Sequence, residues 1–429
     1  MVTAFFGSLF GLLLSGVWIG AALGITAIVI MEFWGGGVAV FGSAAWNSLD
    51  RYSLCALPGF IFMGQIILAS GLGVRIYDSV MPLIARFPGK LLHSNILISA
   101  VFAAVLGSST ANAAIVGSVA IPELRKRKYD EKLLLGTVCI GGTLGLMIPP
   151  SNGFILYGIM ADTSIAALFA AGTIPGILLT FFYMFYIGIK GKLTPGIAPA
   201  EEKRLPWKET LLSLLQMWPL GVLMFACVGT IYIGFCTPVE GAGIGAFASI
   251  IVGRIFGRLG WRQVKTALTQ TTEITSMLFF LVLGAMLMSD AIAAVGLPKA
   301  IVDWIGGLQL SPLLIIILIL MMYLVMGCFI DGISMLVATM PFVAPIINTL
   351  GIDSIWFGVC LILVIEIGQV TPPVGLNLFV VRGIGGPDTS LSDIFVGAFP
   401  LILVALGVLA ILVVFPKVSG FLPILLGLA

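Results

Sequence analysis

Apolar residues run through this chain in long segments, and the polar interruptions between and within them set its organisation. Full-length runs cover Thr3–Met31, Leu54–Leu72, Ser164–Ile189, Met217–Phe235, Val239–Ile255, Glu273–Val295 and Phe395–Leu428. Each approaches or exceeds the ~20 residues with which a helix crosses a bilayer core. Two further runs are cut by double prolines. Lys132–Met147 meets Ile148-Pro-Pro-Ser-Asn-Gly153 before Phe154–Met160 resumes, and Ile355–Gly368 meets Val370-Thr-Pro-Pro-Val-Gly375 before Leu376–Val381. Consecutive prolines remove two backbone donors and stop a helix, so each run predicts one broken span.

Two other segments are half-length runs around a polar tip. Leu91–Leu106 and Ile115–Pro122 flank Gly107-Ser-Ser-Thr-Ala-Asn-Ala-Ala114, and Leu310–Gly327 and Met335–Ile347 flank Cys328-Phe-Ile-Asp-Gly-Ile-Ser334. Non-helical backbone at membrane depth persists only where it is buried in protein or lines a cavity. Both segments therefore read as re-entrant hairpins. Gly73–Lys90, Gln263–Thr272 and Pro298–Gly306 read as short interfacial or arm helices, and Lys190–Glu209 as a polar linker near mid-chain.

Composition fixes the class. Of 429 residues, 60% are hydrophobic and 9% charged, against about 25% charged in soluble domains; mean hydropathy is +1.18. This is an all-α polytopic membrane protein. A net charge of +2 gives no footing for nucleic acid. The six cysteines form no CxxC pair, so neither a disulfide framework nor a zinc site is indicated. His93 is the single histidine, which leaves a Ser or Cys nucleophile without an evident base and argues against an intramembrane hydrolase. No P-loop lysine motif occurs, so ATP is not the direct drive.

Charge then sets orientation. The basic clusters Arg125–Lys128, Lys190–Lys208 and Arg254–Lys265 all fall on one side if the chain makes nine full spans and two hairpins. Cytoplasmic loops hold the excess of Lys and Arg, which predicts the N-terminus inside and the C-terminus outside. Trp34, Trp46, Trp207, Trp218, Trp261, Trp304 and Trp356 fall near span ends as an aromatic belt would.

The two halves repeat. In each, two spans lead to a hairpin, a double-proline broken span and a closing span; Asn152 and Asn377 follow the two breaks. The extra span 217–235 is an odd one, so it inverts the second copy. Interrupted segments at matching positions of inverted halves point to the binding site of a secondary transporter.

The stretches Leu57-Pro-Gly-Phe-Ile-Phe-Met-Gly64, Gly107-Ser-Ser-Thr-Ala-Asn112, Ile148-Pro-Pro-Ser151, Thr237-Pro-Val-Glu-Gly-Ala242 and Val370-Thr-Pro-Pro-Val-Gly-Leu-Asn377 resemble the large membrane subunit of tripartite ATP-independent periplasmic (TRAP) transporters, the DctM family. The resemblance spans nearly the whole chain. It implies a sodium-coupled elevator in the bacterial or archaeal inner membrane that takes up an organic anion such as a dicarboxylate or sialic acid. It also implies two partners, a small four-span membrane subunit and a periplasmic substrate-binding protein, besides membrane lipid. The corresponding division is scaffold and arm at 1–90, first transport segment at 91–163, closing span and linker at 164–216, connector and scaffold at 217–309, second transport segment at 310–390 and closing span at 391–429.

By the same resemblance, sodium ions sit where each hairpin tip meets its broken helix. Ser108, Ser109, Asn112, Gly145 and Pro149 match one site, and Gly327, Gly332, Gly368, Thr371 and Pro372 the other. Sodium wants several oxygens, which unwound carbonyls, hydroxyls and amides supply. Substrate is expected between the tips, with Ser109, Thr110, Ser151, Asp331 and Asn377 as candidate contacts. Asp331 is the one carboxylate at a tip, and an intramembrane charge costs a few kcal/mol and defaults to a functional role; the competing reading is a helix N-cap. Arg382 reads as a cytoplasmic anchor, Glu240 and Glu273 as residues that begin spans, and Glu366 as a weaker functional candidate than Asp331. The alternative to a TRAP subunit is a stand-alone sodium- or proton-coupled dicarboxylate or citrate carrier of the same architecture, distinguished by its independence of partners.

Overall fold

The computed structural model of the chain describes residues 2–35, 37, 41–198, 206–297, 300 and 310–428, and among these it is helical without strands. The short amphipathic piece expected at Pro298–Gly306 lies mostly outside the described residues. Six helices are long and apolar enough to cross a membrane, or eight if each of two bent pairs counts as one span. Nine were expected from hydropathy: Thr3–Met31 and the broken run Ile355–Val381 divide into helices too short to qualify, while Gly332–Thr349, expected as a hairpin arm, is itself long and apolar enough to be counted.

Thr3–Met31 is two helices, Val2–Leu14 and Ile19–Phe33. Gly16 turns the chain at φ +81° between them, a conformation that glycine adopts without a Cβ penalty. Phe395–Leu428 likewise divides, into Leu391–Val414 and Lys417–Leu425. Pro416 has no N–H to continue the ladder and pushes Phe415 out of the helical region, to φ −122° and ψ 74°.

The opposite correction applies to the second repeat's arm. Gln263–Thr272 and the span from Glu273 are one helix, Trp261–Ala294, so Glu273 begins nothing. No glycine or proline interrupts 261–283. The hydroxyls of Thr266, Thr269, Thr271 and Thr272 bond to carbonyls four residues back on the same helix, which satisfies a polar stretch without breaking it. Glu240 does begin its span: Pro238–Phe256 opens on a capping box between Thr237 and Glu240.

The repeats pair as two inverted copies would. Ile19–Phe33 packs along Trp261–Ala294, Ala56–Ala69 along Pro238–Phe256, and the two inner helices of this set pack on each other. Small residues permit the approach: Gly20 meets Gly284, and a β-carbon on Gly59 would lie 2.8 Å from that of Ala242. In the hairpin region the pairing crosses over. The second arm of the first hairpin, Ser109–Lys126, packs against Leu376–Gly385 beyond the second break. The second arm of the second hairpin, Gly332–Thr349, packs against Asn152–Met160 beyond the first. Both breaks carry a cis proline–proline bond, Pro149-Pro150 and Pro372-Pro373.

The basic clusters gather at one end. Arg125 pairs with Glu131 and donates to the Gly385 carbonyl at 2.5 Å and to Thr389 Oγ1 at 2.8 Å. The Asp130 N–H donates to Ile197 O, Arg86 to Thr210 Oγ1, and the Arg258 N–H to Ser70 O. Arg382, in the last turn of Leu376–Gly385, lies exposed at this same end.

Candidate functional site: two hairpin tips on two broken helices

The first hairpin turns more tightly than its sequence suggests. Leu92–Leu106 ends on Gly107 at φ +57°, Ser108 is extended, and the second arm already begins at Ser109. The eight residues expected as the tip contract to Gly107-Ser108. The reason is local: the Asn112 N–H bonds to Ser108 O at 3.1 Å, so the hydroxyl residues become the first helical turn instead of a loop.

That turn abuts the first break closely. A β-carbon on Gly107 would sit 3.1 Å from Pro150 O and 3.2 Å from Asn152 N, and one on Gly145 only 2.5 Å from Ser108 O. Asn112 is fully buried; its amide donates to Ser99 O at 3.0 Å, while its Oδ1 has no partner. The Ser108 and Thr110 hydroxyls lie 3.5 Å apart. Ser108, Ser109, Asn112, Gly145 and Pro149 are thus brought together around one meeting of tip and break.

The second hairpin is built alike. Pro312–Gly327 and Gly332–Thr349 flank the turn Cys328–Asp331. β-Carbons on Gly327 or Gly368 would each lie within 3 Å of the other's Cα, at 2.9 and 2.7 Å, and one on Gly332 would collide with the Gln369 amide. The Gly375 N–H donates to Cys328 O at 3.0 Å, pinning the tip to the unwound segment. Thr371 donates its hydroxyl to Ile367 O at 2.7 Å; the oxygen's lone pairs remain available. Gly327, Gly332, Gly368 and Thr371 therefore border one junction, with Pro372 the half-buried residue that follows.

The candidate substrate contacts divide. Ser151 is fully buried, accepts from the Phe154 N–H at 3.3 Å and donates to Leu146 O at 2.5 Å, so it caps Asn152–Met160 and closes the first break. Asp331 caps Gly332–Thr349 through the Ser334 N–H at 3.1 Å and is half-buried, as is Thr110. Ser109 and Asn377 are buried together: Ser109 O and Asn377 Nδ2 would lie 3.0 and 3.2 Å from a β-carbon on Gly142.

Glu366 is the residue that sequence reasoning undervalued. It lies on the apolar helix Ser354–Gly368, is fully buried, and accepts a hydrogen bond from the Ser109 hydroxyl of the first hairpin. A carboxyl alone in an apolar run was the available signal. Its partner, 257 residues away, was not readable from the run.

Oxygen donors without partners suit a hard, weakly held cation. Asn112 Oδ1, Ser99 Oγ, Glu366 Oε2 and Asn377 Oδ1 are buried without a hydrogen-bond partner. Of these, Asn112 belongs to the first expected sodium set, while Ser99, Glu366 and Asn377 lie in neither set. At the end away from the basic clusters, a cavity of about 780 Å³ opens between the end of Asn152–Met160 and Trp261–Ala294, lined by Arg51, Ser53, Asp162, Ser289 and Asp290 among others.

Two tips seated on two breaks in a chain of inverted halves is a transporter geometry, and comparison with known proteins agrees. The model of the DctM component of the tripartite ATP-independent periplasmic transporter matches residues 6–418. The chain belongs to the DctM family. The sialic acid TRAP transporter large permease protein SiaM of Vibrio cholerae is 31% identical over 99% of this chain and 98% of its own length. The C4-dicarboxylate TRAP transporter large permease protein DctM of Pseudomonas aeruginosa is 32% identical over 95% of each. The isethionate TRAP transporter permease protein DctMQ of Oleidesulfovibrio alaskensis is 29% identical over 95% of this chain and 64% of its own. These relatives are transporter permeases, not enzymes. Among solved structures, the Alcanivorax borkumensis YdaH transporter has the same fold, with a TM-score of 0.67, 13% identity, and 93% of this chain and 98% of that one covered.

Proposed function

We propose that this DctM-family chain is the large permease subunit of a sodium-coupled TRAP transporter that takes up an organic anion across a bacterial inner membrane, with its N-terminus in the cytoplasm. The observation that carries this reading is the docking of each hairpin tip on its own broken helix beside buried, partnerless oxygens. Two sodium ions held there would neutralise the tips and let a carboxylate approach, and Thr110 and Asp331 are the half-exposed groups between them. The relatives named for sialic acid, C4-dicarboxylate and isethionate share an anionic cargo. The hairpins and broken helices would move as one body against the packed inner set around Ala56–Ala69 and Trp261–Ala294, in elevator fashion. A small four-span subunit and a periplasmic binding protein complete the assembly in this reading, the latter delivering cargo to the face that bears the Arg51 cavity.

The test is uptake of labelled organic acids into proteoliposomes, with and without a sodium gradient, and with and without a periplasmic binding protein and a small four-span subunit. Uptake that needs all three supports the reading. Sodium-independent uptake removes the coupling, and uptake by the chain alone makes it a stand-alone carrier.

A further inference from the structure

We propose that Glu366 is the anionic ligand of a further sodium site lying between the two repeats and completed by Ser109 and Asn377, an inference that rests on the sodium-coupled reading above. Glu366 and Asn377 belong to the two halves of the second broken helix, and Ser109 to the first hairpin. All three are buried, Glu366 and Asn377 completely.

The Ser109 hydroxyl donates to Glu366 Oε1. The Leu146 backbone lies beside the carboxyl, and Oε2 makes no hydrogen bond of normal geometry. Neither Oδ1 nor Nδ2 of Asn377 has a partner either. Ser109 ties them together, since its carbonyl oxygen and Asn377 Nδ2 converge on the same point beside Gly142.

Among the described residues, the charged side chain that acts on Glu366 is Asp331, itself acidic. A carboxylate withdrawn from water without a counter-charge is strongly unfavourable, and an unpaired buried amide adds to the cost. One cation held by Glu366 Oε2 and Asn377 Oδ1 answers both at once. These donors are all oxygen, which suits sodium rather than a thiolate- or imidazole-seeking metal.

The location gives the site a role that neither tip has. It joins the first hairpin to the second broken helix, which belong to opposite halves, so its occupant would report the seating of one junction to the other.

The experiment measures sodium bound per purified chain by equilibrium dialysis with radioactive sodium, for the wild type, Glu366→Gln and Asn377→Ala. Glutamine keeps an oxygen for the Ser109 hydroxyl and removes the charge. One ion fewer in Glu366→Gln, with the remaining ions still bound, is the expected result. Full stoichiometry in Glu366→Gln overturns the proposal. Should that variant fail to fold, Asn377→Ala carries the test in the same way: loss of one ion supports the site, and full stoichiometry overturns it. A wild-type chain that binds no sodium would instead overturn the sodium-coupled reading itself.

Discussion

Gly327 and Gly368 touch backbone to backbone, so that a β-carbon on either would lie within 3 Å of the other's Cα. Neither partner has a flexible side chain that could yield. Alanine at Gly368 is expected to lift the second hairpin off its broken helix at a cost of about 1–3 kcal/mol, weakening sodium affinity at least tenfold. Gly243→Ala, on a span position with open space around it, should leave sodium affinity and thermal stability unchanged. A sodium titration of uptake for both variants checks the contrast.

Gly145 offers the same test at the other junction. Its β-carbon would meet the Ser108 carbonyl, which belongs to the backbone. Gly145→Ala should therefore raise the half-saturating sodium concentration by roughly tenfold or more, the equivalent of about 1.4 kcal/mol. A stable, monodisperse variant with wild-type sodium dependence would refute the junction as an ion site.

Ser151 and Asp331 both cap helices, and their variants separate structure from transport. Ser151→Ala removes a buried cap that also bonds Leu146 O, and should cost about 1–2 kcal/mol of stability with little change in substrate KM. Asp331→Asn keeps a capping oxygen, since Asn and Asp serve almost equally at that position, yet removes the charge. It should melt like wild type while losing uptake. Equal uptake would leave Asp331 with the cap alone.

The Arg125 fork holds one end of the molecule together. It reaches Glu131, the Gly385 carbonyl and Thr389 at once, which a planar guanidinium can do and an ammonium cannot. Arg125→Lys should lower the melting temperature almost as much as Arg125→Ala, with sodium stoichiometry intact, as thermal unfolding in detergent would show.

Orientation can be tested through Cys55. It is exposed at the head of the helix Ala56–Ala69, at the end bearing the Arg51 cavity and away from the basic clusters. In a Cys236→Ser background, which removes the half-buried thiol at the same end, a membrane-impermeant maleimide should label Cys55 from the periplasmic face of spheroplasts and fail to label Cys55→Ser. Labelling only in inverted vesicles would reverse the topology.

The hairpins and broken spans were legible because glycine and proline act locally: they end helices whatever surrounds them. The limits of that legibility have physical causes. Ser109, Thr110 and Asn112 looked like loop residues but found helical partners at Ser108 and beyond, because short polar side chains fit the first turn of a helix. Glu273 looked like a span boundary although nothing in its neighbourhood breaks the ladder. Phe415-Pro416 was hidden by apolar residues on both sides, since hydropathy cannot register a missing N–H. Glu366 was undervalued because its significance lies in a contact with Ser109, and that contact exists only after the two halves fold against each other.

The crossed packing of hairpin arms between halves has a final consequence. Each half keeps its second hairpin arm packed on its own helices and also lays it against the other half's broken helix, the arrangement of an antiparallel dimer whose two subunits have become one chain. Either half expressed alone leaves one face of its arm uncovered, the face that meets the other half's broken helix, so each should be less stable in the membrane than the whole chain. Co-expressed halves, cut in the polar linker, have every contact they need to find each other.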